Sequence, residues 1–250
     1  MRLAFLAAIP LAAALPSPAA LAQSAAGSAP AAQVPAVDAA YLRFYDAIVG
    51  GVDMGQMAIG GADSIFDGLV RNQPKFADVA RRNPGLKGEF RTATLPFLKM
   101  WMDRSTAAMR GKVAARLAKY FTVAEAEEVA QFYGSPLGKK FLKAVSESMS
   151  FDTTVDQAIS GGKPEAGIAG ADMDKSANRA MARLLPTLTA DEREALMRFS
   201  QRPVFRKLAL IDQAMAGMEQ PSMDEFSTAE ERDAFGKAVR DLFIRATSSS

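Results

Sequence analysis

Residues 120–141 read YFTVAEAEEVAQFYGSPLGKKF, and this stretch decides the fold. Thr122 and Glu125 have the spacing of a capping box, in which the threonine oxygen accepts a backbone N–H while the glutamate reaches back to the helix start. The helix then breaks at Ser135, which has the chemistry of an N-cap, and Pro136 suits the first position of a new helix. The stretch therefore predicts two consecutive helices with a sharp break between them.

The same pattern returns 67 residues later without a gap. The identical positions are Thr122, Glu125, Glu127, Phe132, Pro136 and Lys140, which correspond to Thr189, Glu192, Glu194, Phe199, Pro203 and Lys207. We interpret this as a duplicated helix-break-helix unit, with a first hairpin at residues 120–149 and a second, degenerate hairpin at residues 187–216. The alternative is that any two capped amphipathic hairpins look alike.

Apolar residues at helical spacing describe most of the remaining chain. Pro96 lies within one such region and should kink or divide it. Ser227 and Glu230 have the spacing of a further capping box, which would open a last helix. Sustained two-residue alternation, the signal of a strand, is absent. The sequence therefore predicts an all-α protein, a multi-helix bundle built around the two hairpins.

The N-terminus has the layout of a cleavable signal peptide at residues 1–22, with Arg2 before an apolar run and an A-x-A box at its end. The box places the cut between Ala22 and Gln23. The apolar run falls short of the ~20 residues that a bilayer span requires, so a membrane anchor is the weaker interpretation. We therefore expect a periplasmic protein without a transmembrane span after cleavage.

The rest of the chain divides into three parts by composition. Residues 23–37 are rich in alanine and proline, which predicts a flexible linker. Residues 38–246 carry the helical pattern and form the predicted helical domain. Residues 247–250 are predicted to be a disordered tail.

The composition excludes several kinds of chemistry. The chain has 250 residues, no cysteine and no histidine, so disulfides, Cys/His zinc sites and a Ser-His-Asp triad are impossible. Lys+Arg number 30 against 28 Asp+Glu, a balance that argues against a dedicated nucleic-acid binder. We predict no cofactor, no metal site and no catalytic set.

The short motifs in the chain do not support an enzymatic function. The run from Gly134 to Lys140 lacks the spacing and the preceding strand of a phosphate loop. Ser160 and Lys163 match S-x-x-K, but the partner motifs of penicillin-recognising serine enzymes are missing. Asp172 begins a run that resembles a calcium loop without its glycine and its final glutamate. We expect the carboxylates of that run to offset a helix dipole instead.

Basic residues stand near the predicted start of the second helix in both units: Lys139 and Lys140, then Arg206 and Lys207. Cations at that position oppose the helix dipole, which favours anions there. We therefore take these four as the candidate binding residues, with phosphate, carboxylate or anionic lipid headgroups as the expected ligands. The alternative is that they are solvated and that their stems cover the apolar seam. A longer basic face, formed by Arg104, Arg110, Lys112, Arg116 and Lys119, is predicted to be solvated surface rather than an anion site.

The run F-Y-x-S-P-x-G-K-K resembles a bacterial exported-protein family known as domain of unknown function number twenty fifty-nine. The residues that carry the resemblance are Phe132, Tyr133, Ser135, Pro136, Gly138, Lys139 and Lys140. The resemblance implies a periplasmic, all-helical protein of unassigned biochemistry, and it supplies no catalytic residues. The second unit departs from the motif, because Ser200, Arg202 and Phe205 replace Tyr133, Ser135 and Gly138.

These observations favour a non-enzymatic protein that binds a partner protein or the envelope surface. One alternative is a hydrolase or lyase that acts on an envelope component through Asp, Glu, Lys and Tyr side chains, which predicts inward carboxylates of perturbed pKa. Another is a chaperone-like binder of apolar segments, which predicts an exposed apolar patch.

Overall fold

The structure, a computed structural model, describes residues 38–159, 170–208, 211 and 223–248. Across these residues the chain is helical and contains no strand, which confirms the all-α multi-helix bundle. The helices are α1 (Ala39–Gly51), α2 (Met54–Asn72), α3 (Pro74–Arg82), α4 (Leu86–Leu117), α5 (Val123–Gly134), α6 (Pro136–Ser148), α7 (Asp152–Ile159), α8 (Gly170–Leu184), α9 (Ala190–Gln201), α10 (Pro203–Lys207), α11 (Met223–Phe226) and α12 (Ala229–Ser248). A short 3₁₀ helix, Leu185–Thr187, joins α8 to α9.

Some predictions fall outside the described part of the chain. The signal peptide and the linker at residues 23–37 lie there, as do residues 209–210 and 212–216 of the second unit. Helix α12 continues to Ser248, two residues into the predicted tail. None of the helices formed by described residues has both the length and the apolar character needed to cross a bilayer.

Helix α4 organises one half of the bundle and packs against α1, α2, α11 and α12. Its Trp101 is 1% exposed and contacts the rings of Phe97 and Phe235. Of the two effects predicted for Pro96, a kink or a division, the division is wrong, since α4 runs without interruption through it, and the kink stays a prediction. Pro96 and Thr92, whose carbonyl group loses its helical donor, are both exposed, so water can replace the missing hydrogen bond.

The basic face of α4 pairs with acids on neighbouring helices. Arg110 makes a bidentate pair with Asp46 of α1 at 2.5 and 2.7 Å. Arg104 lies 2.8 Å from Glu231 of α12, and Lys112 lies 3.3 Å from Glu225 of α11. These cations hold helices together across a half-exposed surface, where each pair contributes only modestly to stability. The prediction of a merely solvated face is corrected accordingly.

The predicted helix ends at the motif are confirmed. Thr122 and Glu125 form the complete capping box of α5, and Pro136 is the first residue of α6 behind the N-cap Ser135. Helix α9 begins with an equivalent box. Helix α10 has no side-chain cap, because Arg202 stands at that position.

The last capping box is one residue later than predicted. The Thr228 backbone N–H donates to Glu231, whose own N–H donates to the Thr228 hydroxyl. The sequence offers two hydroxyl residues followed by two glutamates, so both registers satisfy the motif. Ser227 is buried and accepts a hydrogen bond from Arg232 instead, which removes it from the capping position.

Asp172 caps a helix other than its own. Its carboxylate, fully buried, accepts hydrogen bonds from the backbone N–H groups of Thr153 and Thr154 at 3.1 and 2.9 Å, and from the Thr154 hydroxyl at 3.0 Å. The two N–H groups lie in the first turn of α7, where an N-cap side chain would normally bond. The expectation placed Asp172 at the start of its own helix, where its effect on the dipole stays a prediction; the role at α7 was not predicted, and the hydrogen bonds fix α7 against α8.

Candidate binding surface around the motif

The helix break of the first unit is built by three motif residues. The Ser135 hydroxyl donates to the carbonyl of Phe132 at 2.6 Å and accepts from the Gly138 N–H at 3.1 Å. A Cβ atom at Gly138 would lie 2.1 Å from that same carbonyl oxygen and 2.5 Å from the Cα of Tyr133. Only glycine allows α6 to start this close to the last turn of α5.

Tyr133 is a core residue. Its side chain is 1% exposed and its ring contacts the rings of Phe132 and Phe141. Burial raises the pKa of the Tyr133 phenol above its usual value, so the group stays neutral at ordinary pH. This tyrosine therefore supports packing and offers no phenolate for catalysis.

Two of the four candidate basic residues are engaged in ion pairs. The Lys140 ammonium donates to the Thr187 carbonyl at 2.8 Å and lies 3.0 Å from Glu192 of the second unit. The Lys207 ammonium lies 2.7 Å from Glu125 of the first unit. Both acids are the capping-box glutamates of their helices.

Both glutamates are held in the ionised state. The hydrogen bond from Lys207, followed by the Thr122 N–H, holds the pKa of Glu125 below its usual value. For Glu192 the Thr189 N–H has the larger effect and the hydrogen bond from Lys140 adds to it, again lowering the pKa. Each carboxylate therefore serves a helix start and an ion pair at once.

The two units meet at a stacked pair of aromatic rings. The ring centroids of Phe132 and Phe199 are 3.7 Å apart and their planes differ by 2°. A shallow depression of about 560 Å³ lies over this contact and is also lined by Ser135, Pro136 and Leu137. Arg202 lies 3.4 Å from Glu128 on its rim.

A second depression, of about 480 Å³, lies where the end of α1 meets α6. Its lining residues are Gly50, Gly51, Val52, Asp53, Lys139, Lys140 and Lys143, and we call it the lysine groove. Lys139 is exposed and makes no ion pair with any described residue. Lys143 lies 3.9 Å from Glu147, at the limit of an ion pair.

The structure thus separates the four candidate residues. Lys139 and Lys140 line the groove, Lys207 pairs with the first unit, and Arg206 is exposed on α10. Sequence reasoning missed Lys143, although its i,i+4 spacing from Lys139 places both on one helix face.

The acids of the described residues show no arrangement typical of general acid–base catalysis. Where a carboxyl pKa shifts within this part of the chain, it shifts downward, as it does for Glu125, Glu192, Glu230, Glu231 and Asp241. A general acid needs the opposite shift. No group of three or more acidic side chains in the described ranges could hold a metal ion.

Comparison with known proteins agrees with the motif. Neither a curated protein nor a solved structure matches the chain. A family model described as "Uncharacterized protein conserved in bacteria (DUF2059)" matches residues 107–158, from the end of α4 into α7, and ends before the second unit. This confirms the predicted resemblance: the segment that contains the first unit matches the model of that bacterial family.

Proposed function

We propose that this protein is an exported, non-enzymatic binding protein of the periplasm that attaches to an anionic envelope surface through the lysine groove. The observation that carries the proposal is the exposed Lys139, which pairs with no residue that the structure describes, next to the weakly paired Lys143 on the same face of α6. The predicted signal peptide supports the location.

The groove has the chemistry of an anion-binding surface. Three lysines line it and Asp53 is the one acid among its lining residues. Lys140 is paired with Glu192 and Lys143 only weakly with Glu147, so Lys139 is the lining cation that pairs with no described residue. The Asp53 carboxylate also accepts the N–H of Gln56 at the start of α2. Gly50 is exposed and carries no side chain, which leaves the α1 side of the groove open. Phosphate headgroups of anionic lipids match this arrangement, and each lysine near such a surface contributes about 1 kcal/mol.

Binding to vesicles tests the proposal. The purified protein should co-sediment with phosphatidylglycerol vesicles and not with phosphatidylcholine vesicles. Lys139→Glu/Lys143→Glu removes two favourable charges, worth about 2 kcal/mol together, and should weaken binding by about 30-fold or more. Added salt should weaken the wild-type interaction because exposed charges are screened.

Lys75→Glu is the matched control. Lys75 is exposed on α3, outside the groove, so reversing its charge should leave vesicle binding nearly unchanged. Lys75→Glu changes the charge by two units and the groove variant by four, so a free-energy loss in the control half as large as that in the groove variant would show that only net charge matters. Absence of binding to anionic vesicles by the wild-type protein would refute the proposal.

A further inference from the structure

The contacts between the two units are reciprocal. Lys140 of the first unit pairs with Glu192 of the second, and Lys207 of the second pairs with Glu125 of the first. The two lysines correspond to one another in the sequence alignment of the units, and so do the two glutamates. Exchanging the two units therefore converts one ion pair into the other.

The aromatic contact follows the same rule. Phe132 and Phe199 occupy equivalent positions and stack on each other with nearly parallel planes. A residue that contacts its own equivalent lies on the symmetry axis of an isologous interface, in which the same patch is used by both partners. Two reciprocal ion pairs together with such a contact describe a pseudo-two-fold pair.

We infer that the residues that are identical at equivalent positions of the two units form a self-complementary interface. The partner that fits the motif surface of the first unit is therefore a second copy of the unit. In this chain residues 189–207 supply that copy. The glutamate and the lysine of each unit act across the interface, while the phenylalanine of each lies at its centre. This inference does not depend on the lysine groove.

The departures of the second unit fit the inference. Phe205 carries a Cβ where Gly138 has none, so α10 cannot approach α9 as closely as α6 approaches α5. Its ring packs on Phe199 instead, with centroids 5.7 Å apart. Arg202 adds a pair with Glu128 that has no counterpart, because Ser135 stands at the equivalent position of the first unit. The two copies have diverged around a preserved contact.

Double-mutant cycles on the full-length chain test the inference. Glu192→Gln and Glu125→Gln keep the capping box, since glutamine also serves there, and remove the charge. Lys140→Met and Lys207→Met keep the stem of the side chain. Each single variant should lower the thermal midpoint by about 2 °C, as half-exposed ion pairs contribute little to stability. The thermal midpoint of each cross-unit double variant should be no lower than that of the less stable of its two single variants.

The control cycle combines Lys140→Met with Glu125→Gln, two residues of the same unit that do not pair with each other. Their effects should add. Hydrogen exchange gives a second readout: Lys140→Met should speed exchange in the peptides of α9, which belongs to the other unit. Additive effects in both cross-unit cycles, with α9 exchange unchanged, would overturn the inference.

Discussion

Gly138→Ala tests whether the motif is built for close helix packing. The added methyl group would lie 2.1 Å from the Phe132 carbonyl oxygen and 2.5 Å from the Tyr133 Cα. Both obstacles are backbone atoms, which no rotamer change can move. The start of α6 would have to retreat from α5 by roughly 1 Å to reach ordinary contact, a strain typical of overpacked sites.

The expected cost follows from three contributions. Overpacking costs about 3 kcal/mol at the upper end of its usual range, since backbone must move. The Ser135 cap, which bonds the N–H of Gly138 itself, weakens and costs about 1 kcal/mol more. The higher helix propensity of alanine stabilises the folded state by about 1 kcal/mol and offsets part of this loss. The net loss of about 3 kcal/mol should lower the thermal midpoint by about 9 °C.

Thermal unfolding followed by circular dichroism measures this shift, with Gly111→Ala as the control. Gly111 lies inside α4, and a Cβ there would meet no atom within 4 Å. That variant should be more stable than the wild type, by about 1 kcal/mol. If Gly138→Ala also matched or exceeded wild-type stability, the close approach of α5 and α6 would be refuted.

Two further predictions concern buried and paired carboxylates. Asp172→Ala leaves two N–H groups and a hydroxyl of α7 without their acceptor, so the free energy of unfolding in a denaturant titration should fall by about 3 kcal/mol. The control Asp103→Ala, on the exposed face of α4, should lower it by less than about 0.5 kcal/mol. Equal losses in the two variants would contradict the capping role. Because the pKa values of Glu125 and Glu192 are lowered on folding, their stabilisation is complete above the unfolded value near 4.3 and is lost as pH falls through the lower folded values. The thermal midpoint should therefore drop on acidification below about pH 5, less steeply in Lys140→Met/Lys207→Met, and equal slopes would contradict the pairing.

The helix ends could be predicted because their signals are local. Thr122 and Glu125 bond within one turn, and Ser135 bonds a residue three positions away. Local chemistry fails where two registers are equally good. Ser227 and Thr228 both suit the cap, and the burial of Ser227, a tertiary effect, decides between them.

Contacts between distant segments were beyond the sequence. Asp172 lies 18 and 19 residues from the N–H groups that it caps, and its motif suggested only an effect on a helix dipole. The alignment of the units identified Lys140 and Lys207 as equivalent, but no local rule shows that each pairs with the other unit. The lysines were therefore predicted as binding residues, and whether Lys139 binds an anion stays a prediction.

Zero-length carbodiimide crosslinking tests the paired units most directly, because it joins an amine to a carboxylate only when the two touch. Lys87 and Asp67, 2.7 Å apart on other helices, provide a positive control. The account predicts crosslinked peptides in the monomer that join Lys140 to Glu192 and Lys207 to Glu125. Formation of the control crosslink without either of these two would contradict it.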